Sequence, residues 1–444
     1  MAGGIFDKTV GKVRPGTYVN FKDESQESIK GASRGTVLLP LANTDYGPAG
    51  EMITLTGAAP DSAAAKLGYS VYDTDDASNM LLIREAFKNA STVIVYICTE
   101  GTATASGSGG GLTATAIYAG ARGNSLTYVV EENPVSGYDV SIYLDGSKVE
   151  AFEGITSADD LADSAYITFA ADGDLAETAG VTLTGGTSGT TANADITAFL
   201  EAADNVSFDT MAFPFEDSTL LSAAKTKVKY MRENEGKKVQ VVVANMTSPD
   251  YEGVINVTNS YELESGELTA AQATAFVAGM TAGATYTESN TYRTVEGAIA
   301  VVDAKSHEEA VEAINNGEFF FSVNEQGAVV VEYDINSLIT FSDGKGESYR
   351  KNRVLRVLDA FHNSLVLNFP PNKYDNSSTG WDIMEGIGKS ILKLYYEAGA
   401  IDDVDYDEDF LVDRENSAGD QTYFDVGIKP VDSAEKLFFT VTTR

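Results

Sequence analysis

The chain has 444 residues, of which 43% are hydrophobic, so it is long enough for two to four domains that each bury an interior. Its 66 acidic residues against 31 basic ones give a formal charge of -35. This charge argues against nucleic acid and anionic membranes as partners, because both are negatively charged.

The first predicted elements alternate between strands and a helix. An apolar run at residues 36–40 and a β-branched run at residues 92–98 predict buried strands, and residues 80–87 between them predict a helix. This order is typical of an α/β layer. The only cysteine, Cys98, falls in the second run, so no intrachain disulfide can form and we interpret the thiol as a buried core group.

Low-complexity stretches at residues 100–111 and 183–191 interrupt this layer. Between them, residues 125–130 and 139–144 predict strands, the second followed by an Asp145-Gly146 hairpin turn. Residues 101–193 are therefore predicted to form a small, mostly β inserted domain. This segment contains 12 acidic residues and only two basic ones, which favours an exposed outer surface.

The α/β pattern then resumes, so the layer is predicted to be completed after the insertion. The predicted helices cover residues 194–203, 219–232, 269–280 and 308–315, and the predicted strands cover residues 208–215, 238–243, 297–302 and 328–333. Two longer helices follow at residues 348–367 and 381–398, separated by a proline pair at residues 370–371, and a strand is predicted at residues 422–428.

These elements predict a multidomain α/β and α+β chain, a mixed α/β core interrupted by a small β domain. Its predicted parts are an N-terminal arm (1–22), a split α/β domain (23–100 and 194–334), the inserted domain (101–193), a C-terminal α+β domain (335–430) and a C-terminal arm (431–444).

Both chain ends have strand-like patterns, although chain ends usually fray. Residues 14–21 are strand-competent. The last residues alternate between two sets, which is the pattern of a strand with one face that needs burial: Leu437, Phe439 and Val441 against Phe438, Thr440 and Thr442. Such ends either fold back onto their own domain or pair with another chain.

Six stretches, in this order, resemble contractile phage tail sheath proteins, including the sheaths of phage-like and bacteriocin-like particles. They are Pro-Gly-Thr-Tyr-Val at 15–19, Gly-Ala-Arg-Gly-Asn at 120–124, Leu-Thr-Gly-Gly-Thr-Ser-Gly at 183–189, residues 353–360, residues 395–401 and Pro-Val-Asp-Ser-Ala-Glu-Lys-Leu at 430–437. From the residues alone, Gly123-Asn124 is a turn that leads into the strand at residue 125. The resemblance covers nearly the whole chain, and residues 245–330 contribute little to it.

The resemblance implies a structural subunit, not an enzyme, that stacks in rings around an inner tube and contracts to drive the tube through a target envelope. It also implies that the two arms add strands to sheets of neighbouring subunits, seated by Tyr18, Val19, Phe21, Leu437, Phe439 and Val441. The implied partners are further copies of the chain, the inner tail tube protein, and baseplate and tail terminator proteins, with no nucleic acid, membrane or cofactor. The implied location is a virion or phage-tail-like particle that is assembled in bacterial host cytoplasm.

One basic cluster departs from the acidic background and opens a predicted helix. It comprises Lys345, Arg350, Lys351, Arg353 and Arg356, with only Glu347 among them. Basic residues at a helix start oppose the helix dipole, so the cluster needs another reason for its position. Two interpretations stay open: Arg350, Lys351, Arg353 and Arg356 contact an acidic partner, by family analogy the inner tube or a neighbouring subunit, or they pair with acids of this chain.

Three motifs that could indicate chemistry are incomplete. Residues 386–390 end like a phosphate-binding loop, but Ile383 stands where such a loop needs glycine, so we interpret the glycines as close helix packing. Residues 402–409 resemble a calcium loop, but Glu408 replaces the turn glycine and Arg414 the bidentate ligand, which favours a solvated acidic loop or a face for a basic partner. With His307 and His362 as the only histidines, catalytic triads and histidine-rich metal sites have almost no residues to use.

Two other classes of protein are weighed against the sheath subunit. The alternative function is an acidic, cytoplasmic α/β hydrolytic enzyme with a β insertion, which predicts a concave pocket holding carboxylates of shifted pKa. A cell-surface adhesive β module is opposed by the α/β layers and by residues 1–8, which lack a secretion-signal pattern.

Overall fold

A computed structural model describes residues 34–74 and 77–443, in which the chain forms eight α-helices and several sheets. The first elements are β1 (Thr36–Leu41), β2 (Met52–Thr56), α1 (Ala64–Leu67), α2 (Ala77–Phe87) and β3 (Thr92–Ile97). Strands β1 and β3 are buried along almost their whole length and pair in parallel, with Val37 opposite Val93. Continuous apolar runs are typical of strands covered by helices on both faces, so the predicted α/β layer is confirmed.

The inserted segment forms two antiparallel sheets around a core of its own. Its strands are β4 (Ser106–Gly109), β5 (Leu112–Ala116), β6 (Leu126–Glu132), β7 (Tyr138–Leu144), β8 (Ser147–Ile155), β9 (Ile167–Ala171) and β10 (Val181–Thr182). One sheet has the order β10-β6-β7-β8 and the other β4-β5-β9. The predicted hairpin turn joins β7 to β8. The glycine-rich stretch 100–111 is not only an interruption, because it contains β4, an edge strand.

The chain then returns to the first sheet. Its next elements are α3 (Asn193–Ala202), β11 (Thr210–Ala212), α4 (Ser218–Glu233), β12 (Gln240–Ala244), β13 (Val254–Val257), β14 (Ser260–Leu263), β15 (Gly266–Glu267), α5 (Ala270–Gly283), β16 (Ala298–Val302), α6 (His307–Asn315), β17 (Glu318–Phe319), β18 (Phe321–Val323) and β19 (Val329–Val331). The completed sheet has the order β17-β13-β12-β11-β1-β3-β2, parallel except for β2. The α/β core is thus interrupted by the β insertion, while the exact domain boundaries stay a prediction.

Alternate side chains of β1 fill two separate cores. Val37 and Leu39 pack with α2 and α5 on one face of the sheet, and Leu38 packs with α3 and α4 on the other. Helix α5 is buried on nearly all sides, which its apolar and small residues permit. The central sheet is therefore covered by helices on both faces.

The C-terminal part contains α7 (Asn352–Asn368), α8 (Ser378–Glu397), β20 (Ile401–Asp402), β21 (Phe410–Val412), β22 (Phe424–Val426) and β23 (Lys429–Pro430). The two helices share a core that includes Phe361 and Tyr395. Helix α7 begins four residues later than predicted, because the backbone of Lys351 is extended and forms a β-bridge with Ile335. Residues Glu347–Arg350 form a short 3-10 helix before it.

The glycines of residues 386–390 differ in their surroundings. A Cβ atom on Gly388 would lie 2.1 Å from the ring of Phe410, so this position needs glycine for close packing of α8. Gly386 has no neighbouring atom within 4 Å of such a Cβ. The packing interpretation is confirmed for Gly388 and wrong for Gly386.

Candidate functional site

Arg356 of the basic cluster lies inside the chain. Its side chain is 1% exposed and pairs with Asp334, 0% exposed, at 2.8 Å, while the same nitrogen donates to the Glu288 carbonyl at 2.7 Å. Asp334 follows β19, which pairs with β18 and packs in a core beside the central sheet, so this ion pair joins α7 to the central part of the chain. Arg356 therefore does not lie on the surface, and we retain it only as an internal group.

A second buried ion pair joins the same two parts of the chain. Arg232, near the end of α4, donates two hydrogen bonds of 2.8 Å to the carboxylate of Asp359 on α7, and both side chains are buried. This bidentate geometry fixes orientation as well as distance. Helix α7 is consequently held to the central part of the chain at two points along its length.

Burial and hydrogen bonding act in opposite directions on Asp334. Burial alone raises the pKa of its carboxyl group, but the charge of Arg356 and hydrogen bonds from the Asn290 backbone and the Asn352 side chain outweigh burial. The pKa of Asp334 is therefore below its usual value, and the carboxylate stays charged at neutral pH.

The other basic residues have different surroundings. Lys345 pairs with Glu252 of the same chain, and Arg353 donates to the Ser433 hydroxyl at 2.6 Å. Arg350 is half-buried, and its Nε and Nη2 have no hydrogen-bond partner among residues 34–74 and 77–443. Arg356 likewise has no partner for its Nε and Nη1 within those ranges, and all four of these nitrogens are buried.

The C-terminal segment after β23 follows the protein surface and becomes mostly exposed only from Leu437. Val431 still donates its backbone N–H to the Ala400 carbonyl at 2.9 Å. Farther along, Leu437, Phe439 and Val441 are 66%, 82% and 85% exposed, and no strand of the described chain pairs with them. The corresponding N-terminal residues Tyr18, Val19 and Phe21 lie outside the described residues.

Strands β21 and β22 form a two-stranded sheet to which no third strand is added within the described chain. The Val412 N–H of β21 donates to the Glu385 carboxylate of α8 at 3.0 Å, which covers part of that edge. The outer edge of β22 has no strand beside it, and its Val426 side chain is exposed. An unpaired edge of this kind offers backbone N–H and C=O groups to an added strand.

The motif at residues 120–124 forms the joint between the insertion and the central layer. Asn124 exchanges two hydrogen bonds with the backbone of Gly186, at 2.9 and 2.8 Å, so the beginning and the end of the insertion are joined. Arg122 donates to the Gly68 carbonyl at 2.7 Å and lies over the Tyr69 ring. The residues alone predicted a simple turn at Gly123-Asn124, and this joint was missed. Only the family resemblance gave a signal for it.

The cysteine and the histidine considered above, Cys98 and His362, lie among residues of the protein's own interior or clefts. The Cys98 side chain is buried in the core, as predicted, and this burial raises the pKa of its thiol to about 12. His362 lines a cleft of about 610 Å³, and Asp209 is one of the acidic residues in its lining. Asp209 pairs with Arg34 and accepts hydrogen bonds from the backbone N–H groups of residues 35 and 36. Among residues 34–74 and 77–443, no three His, Cys, Asp or Glu side chains are grouped as metal ligands. In the same ranges, no helix has the length and apolar character of a membrane span.

Four family models match consecutive parts of the chain. The tail sheath protein Gp18 domain III N-terminal region matches residues 34–96, the phage tail sheath protein beta-sandwich domain residues 88–195, the phage tail sheath protein central domain residues 189–337, and the phage tail sheath C-terminal domain residues 344–444. The second model covers the insertion, and the fourth covers the basic cluster and the exposed C-terminal segment.

Known proteins are similar over the whole length. The phage-like element PBSX protein XkdK of Bacillus subtilis (strain 168) is 37% identical over 473 residues, which cover 99% of each chain. A crystal structure of the sheath tail protein from Desulfitobacterium hafniense is 36% identical, with a TM-score of 0.83 over 96% of this chain and 99% of that one. The helical sheath of the anti-feeding prophage in the contracted state shares the fold, with a TM-score of 0.58 at 15% identity over 98% of this chain and 100% of that one.

The split parallel sheet, the β insertion and these matches define a structural protein of the tail sheath class. The chain belongs to the phage tail sheath protein family, and the resemblance drawn from its sequence is confirmed.

Proposed function

We propose that the protein is the subunit of a contractile tail sheath that polymerises in stacked rings around an inner tube. Contraction of the sheath drives the tube through a target envelope. Its partners are further copies of itself, the inner tail tube protein, and baseplate and tail terminator proteins. Its place is a virion or phage-tail-like particle that assembles in the host cytoplasm. Family membership and the contracted helical sheath with the same fold support this proposal.

The observation that carries the proposal is the exposed apolar face of the C-terminal segment. Leu437, Phe439 and Val441 alternate along the segment and are mostly in solvent, and Phe438 between the first two is 92% exposed. Burying such side chains contributes roughly 1.5–3 kcal/mol each, so a neighbour that covers them gains substantial binding free energy. The unpaired edge of β22 is a receiving edge in a neighbouring copy.

Removal of residues 437–444 should leave a folded protein that cannot form sheath. The deleted residues contact little of their own subunit, so the thermal unfolding of the monomer should stay unchanged. Sheath formation, measured by negative-stain electron microscopy and sedimentation, should be lost because neighbouring subunits lose a pairing strand.

Two triple variants distinguish loss of the apolar side chains from loss of the length of the segment. Leu437→Ser, Phe439→Ser and Val441→Ser together should reproduce the deletion, whereas Phe438→Ser, Thr440→Ser and Thr442→Ser, on the opposite face, should assemble close to normally. Normal sheaths from the truncated chain would show that the C-terminal arm does not link subunits.

An N-terminal arm seated by Tyr18, Val19 and Phe21 is the second link that we propose between subunits. Two arms per subunit give each lattice neighbour its own tether, which can persist while the subunits move as rigid bodies. Main-chain pairing suits this role because several backbone hydrogen bonds form together along one edge.

Arg350 and Arg353 are our proposed contacts with an acidic surface of the inner tube or of a neighbouring subunit. Both side chains are half-buried and positively charged, although the nitrogens without a partner in the described chain, Nε of both and Nη2 of Arg350, are themselves buried. Reversing both charges (Arg350→Glu, Arg353→Glu) should reduce assembly on preformed tubes at least tenfold, because attraction becomes repulsion at the contact. The charge-neutral Arg350→Gln should have a smaller effect, and unimpaired assembly of the reversed variant rules out this contact.

A further inference from the structure

The C-terminal arm is not free along its whole length. Residues 431–436, here called the arm root, alternate between half-buried and exposed: Val431, Ser433 and Glu435 face the protein, and the residues between them face solvent. This is the side-chain pattern of an extended segment lying on a surface. The exposed apolar residues begin only at Leu437.

Glu435 occupies a specific site on its own subunit. One carboxylate oxygen accepts a hydrogen bond from the Ser289 hydroxyl at 2.7 Å, and the other pairs with the ammonium group of Lys351. The side chains of Lys351 and Glu435 are only 9% and 10% exposed. An ion pair this well shielded is screened far less by salt than a surface pair, so it can hold a chain segment in place.

Tyr333, Lys436 and Arg353 lie around this carboxylate site, and the Asp432 carboxylate also lies 4.0 Å from the Lys351 ammonium. The Lys351 ammonium lies 4.2 Å from the centre of the Tyr333 ring, and Lys436 lies over the same ring at 5.7 Å. Arg353 adds its hydrogen bond to Ser433. Lys351 belongs to the start of α7, whereas Ser289 and Tyr333 belong to the central part of the chain. The arm root therefore lies across the joint between these two parts.

We propose that Lys351 and Ser289 form a binding site for the Glu435 carboxylate that fixes the arm root, so that the exchanging part of the arm begins at Leu437. This inference rests on the proposed arm exchange and adds where the arm leaves its subunit. Eight residues, 437–444, reach about 26 Å when extended, whereas release of the arm at residue 431 gives 14 residues and about 46 Å. The site restricts the arm to a near neighbour.

Spin labels on the unassembled full-length protein test the site directly. Cys98 is buried, so a label can be attached at Ala434→Cys in the exposed part of the root, or at Thr440→Cys beyond it. We expect the label at 434 to be markedly less mobile than the label at 440. Glu435→Gln should raise the mobility at 434 to that at 440, while Glu415→Gln, a matched change in an exposed loop, should leave it unchanged.

Equal mobility at the two positions in the unmodified protein, or an ordered label at 434 in Glu435→Gln, overturns the proposal. Lys351→Arg keeps the positive charge and should retain part of the order at 434. In assembly assays, Glu435→Gln should raise the protein concentration needed for half-maximal sheath formation about twofold or more, since the effective concentration of the arm falls with tether length. A Glu435→Gln protein that assembles at the same or a lower concentration contradicts the positioning role.

The label and assembly experiments fail independently. If the label at 434 is ordered but the protein without residues 437–444 still forms sheath, the Glu435 site stands and the arm exchange is rejected. If the label at 434 is mobile and the deletion blocks sheath formation, the arm exchange stands and the Glu435 site is rejected.

Discussion

Arg356→Met should destabilise the protein by about 3–5 kcal/mol, because it leaves the Asp334 carboxylate buried without its cation. Methionine fills much of the arginine volume, so the loss comes from the unpaired charge and not from a cavity. Urea unfolding followed by fluorescence is the measurement. Trp381, the only tryptophan, lies in α8 and reports on the C-terminal part, which Arg356 joins to the central part of the chain.

The double variant Arg356→Met, Asp334→Asn is the control for this prediction. It removes both charges and keeps an oxygen that can accept the Asn290 N–H, so it should be about 2 kcal/mol more stable than Arg356→Met alone. If the double variant is no more stable than the single one, lost packing and not the unpaired carboxylate explains the effect.

The pH dependence of Asp334→Asn checks the same mechanism from the other side of the pair. The folded-state pKa of Asp334 is lowered, so the stability that its charge contributes is present above the unfolded-state pKa of about 3.9 and is lost as pH falls through the folded value. The stability gap between the unmodified protein and Asp334→Asn should stay constant from pH 7 to about 5 and narrow below about pH 4. A gap that does not change with pH contradicts a role for the charge.

The central layer was predicted well because its longer strands and helices have clear local sequence signals. The run at residues 92–97 is β-branched except for Tyr96, and residues 93–97 are buried. Helix α4 has an Asp217 N-cap that accepts from the backbone N–H groups of residues 219 and 220. Short strands were missed where the pattern is brief: β13 spans four residues and β17 two. Their strand character comes from neighbours in the sheet, which local sequence does not contain.

The basic cluster shows where reasoning from sequence stops. Charge and helix dipole indicated an unusual group of residues, but Arg356 and Lys351 find their partners 22 residues before and 84 residues after them. Such pairings depend on tertiary structure, so the sequence alone could not decide between an acidic partner and acids of the same chain. The arm is the opposite case: its alternating pattern predicted a face that needs burial, but Leu437, Phe438 and Phe439 are all mostly exposed, so what covers that face stays a prediction.

Gly120→Ala should destabilise the joint of the insertion by about 3–5 kcal/mol. Gly120 has φ +141, which L residues rarely adopt, and a Cβ there would lie 1.7 Å from the Asp45 carbonyl oxygen. Backbone strain and overpacking each cost roughly 1–3 kcal/mol. Movement of the Asp45 backbone would disturb two hydrogen bonds. The Asp45 carbonyl accepts from the Arg122 backbone N–H, and the Asp45 carboxylate accepts from the Ser188 hydroxyl. Urea unfolding and the rate of proteolysis between residues 101 and 193 measure the change.

Gly173→Ala is the matched control, because Gly173 has φ +143 and no atom within 4 Å of an added Cβ. It carries the same backbone strain without the clash, so it should cost only about 1–3 kcal/mol and leave the joint resistant to proteolysis. Equal destabilisation by the two substitutions would mean that the contact with Asp45 adds nothing beyond strain. A larger effect at Gly120, with faster cleavage at the insertion, would show that close backbone contact at this joint is what holds the insertion to the sheet, and would explain why glycine stands there.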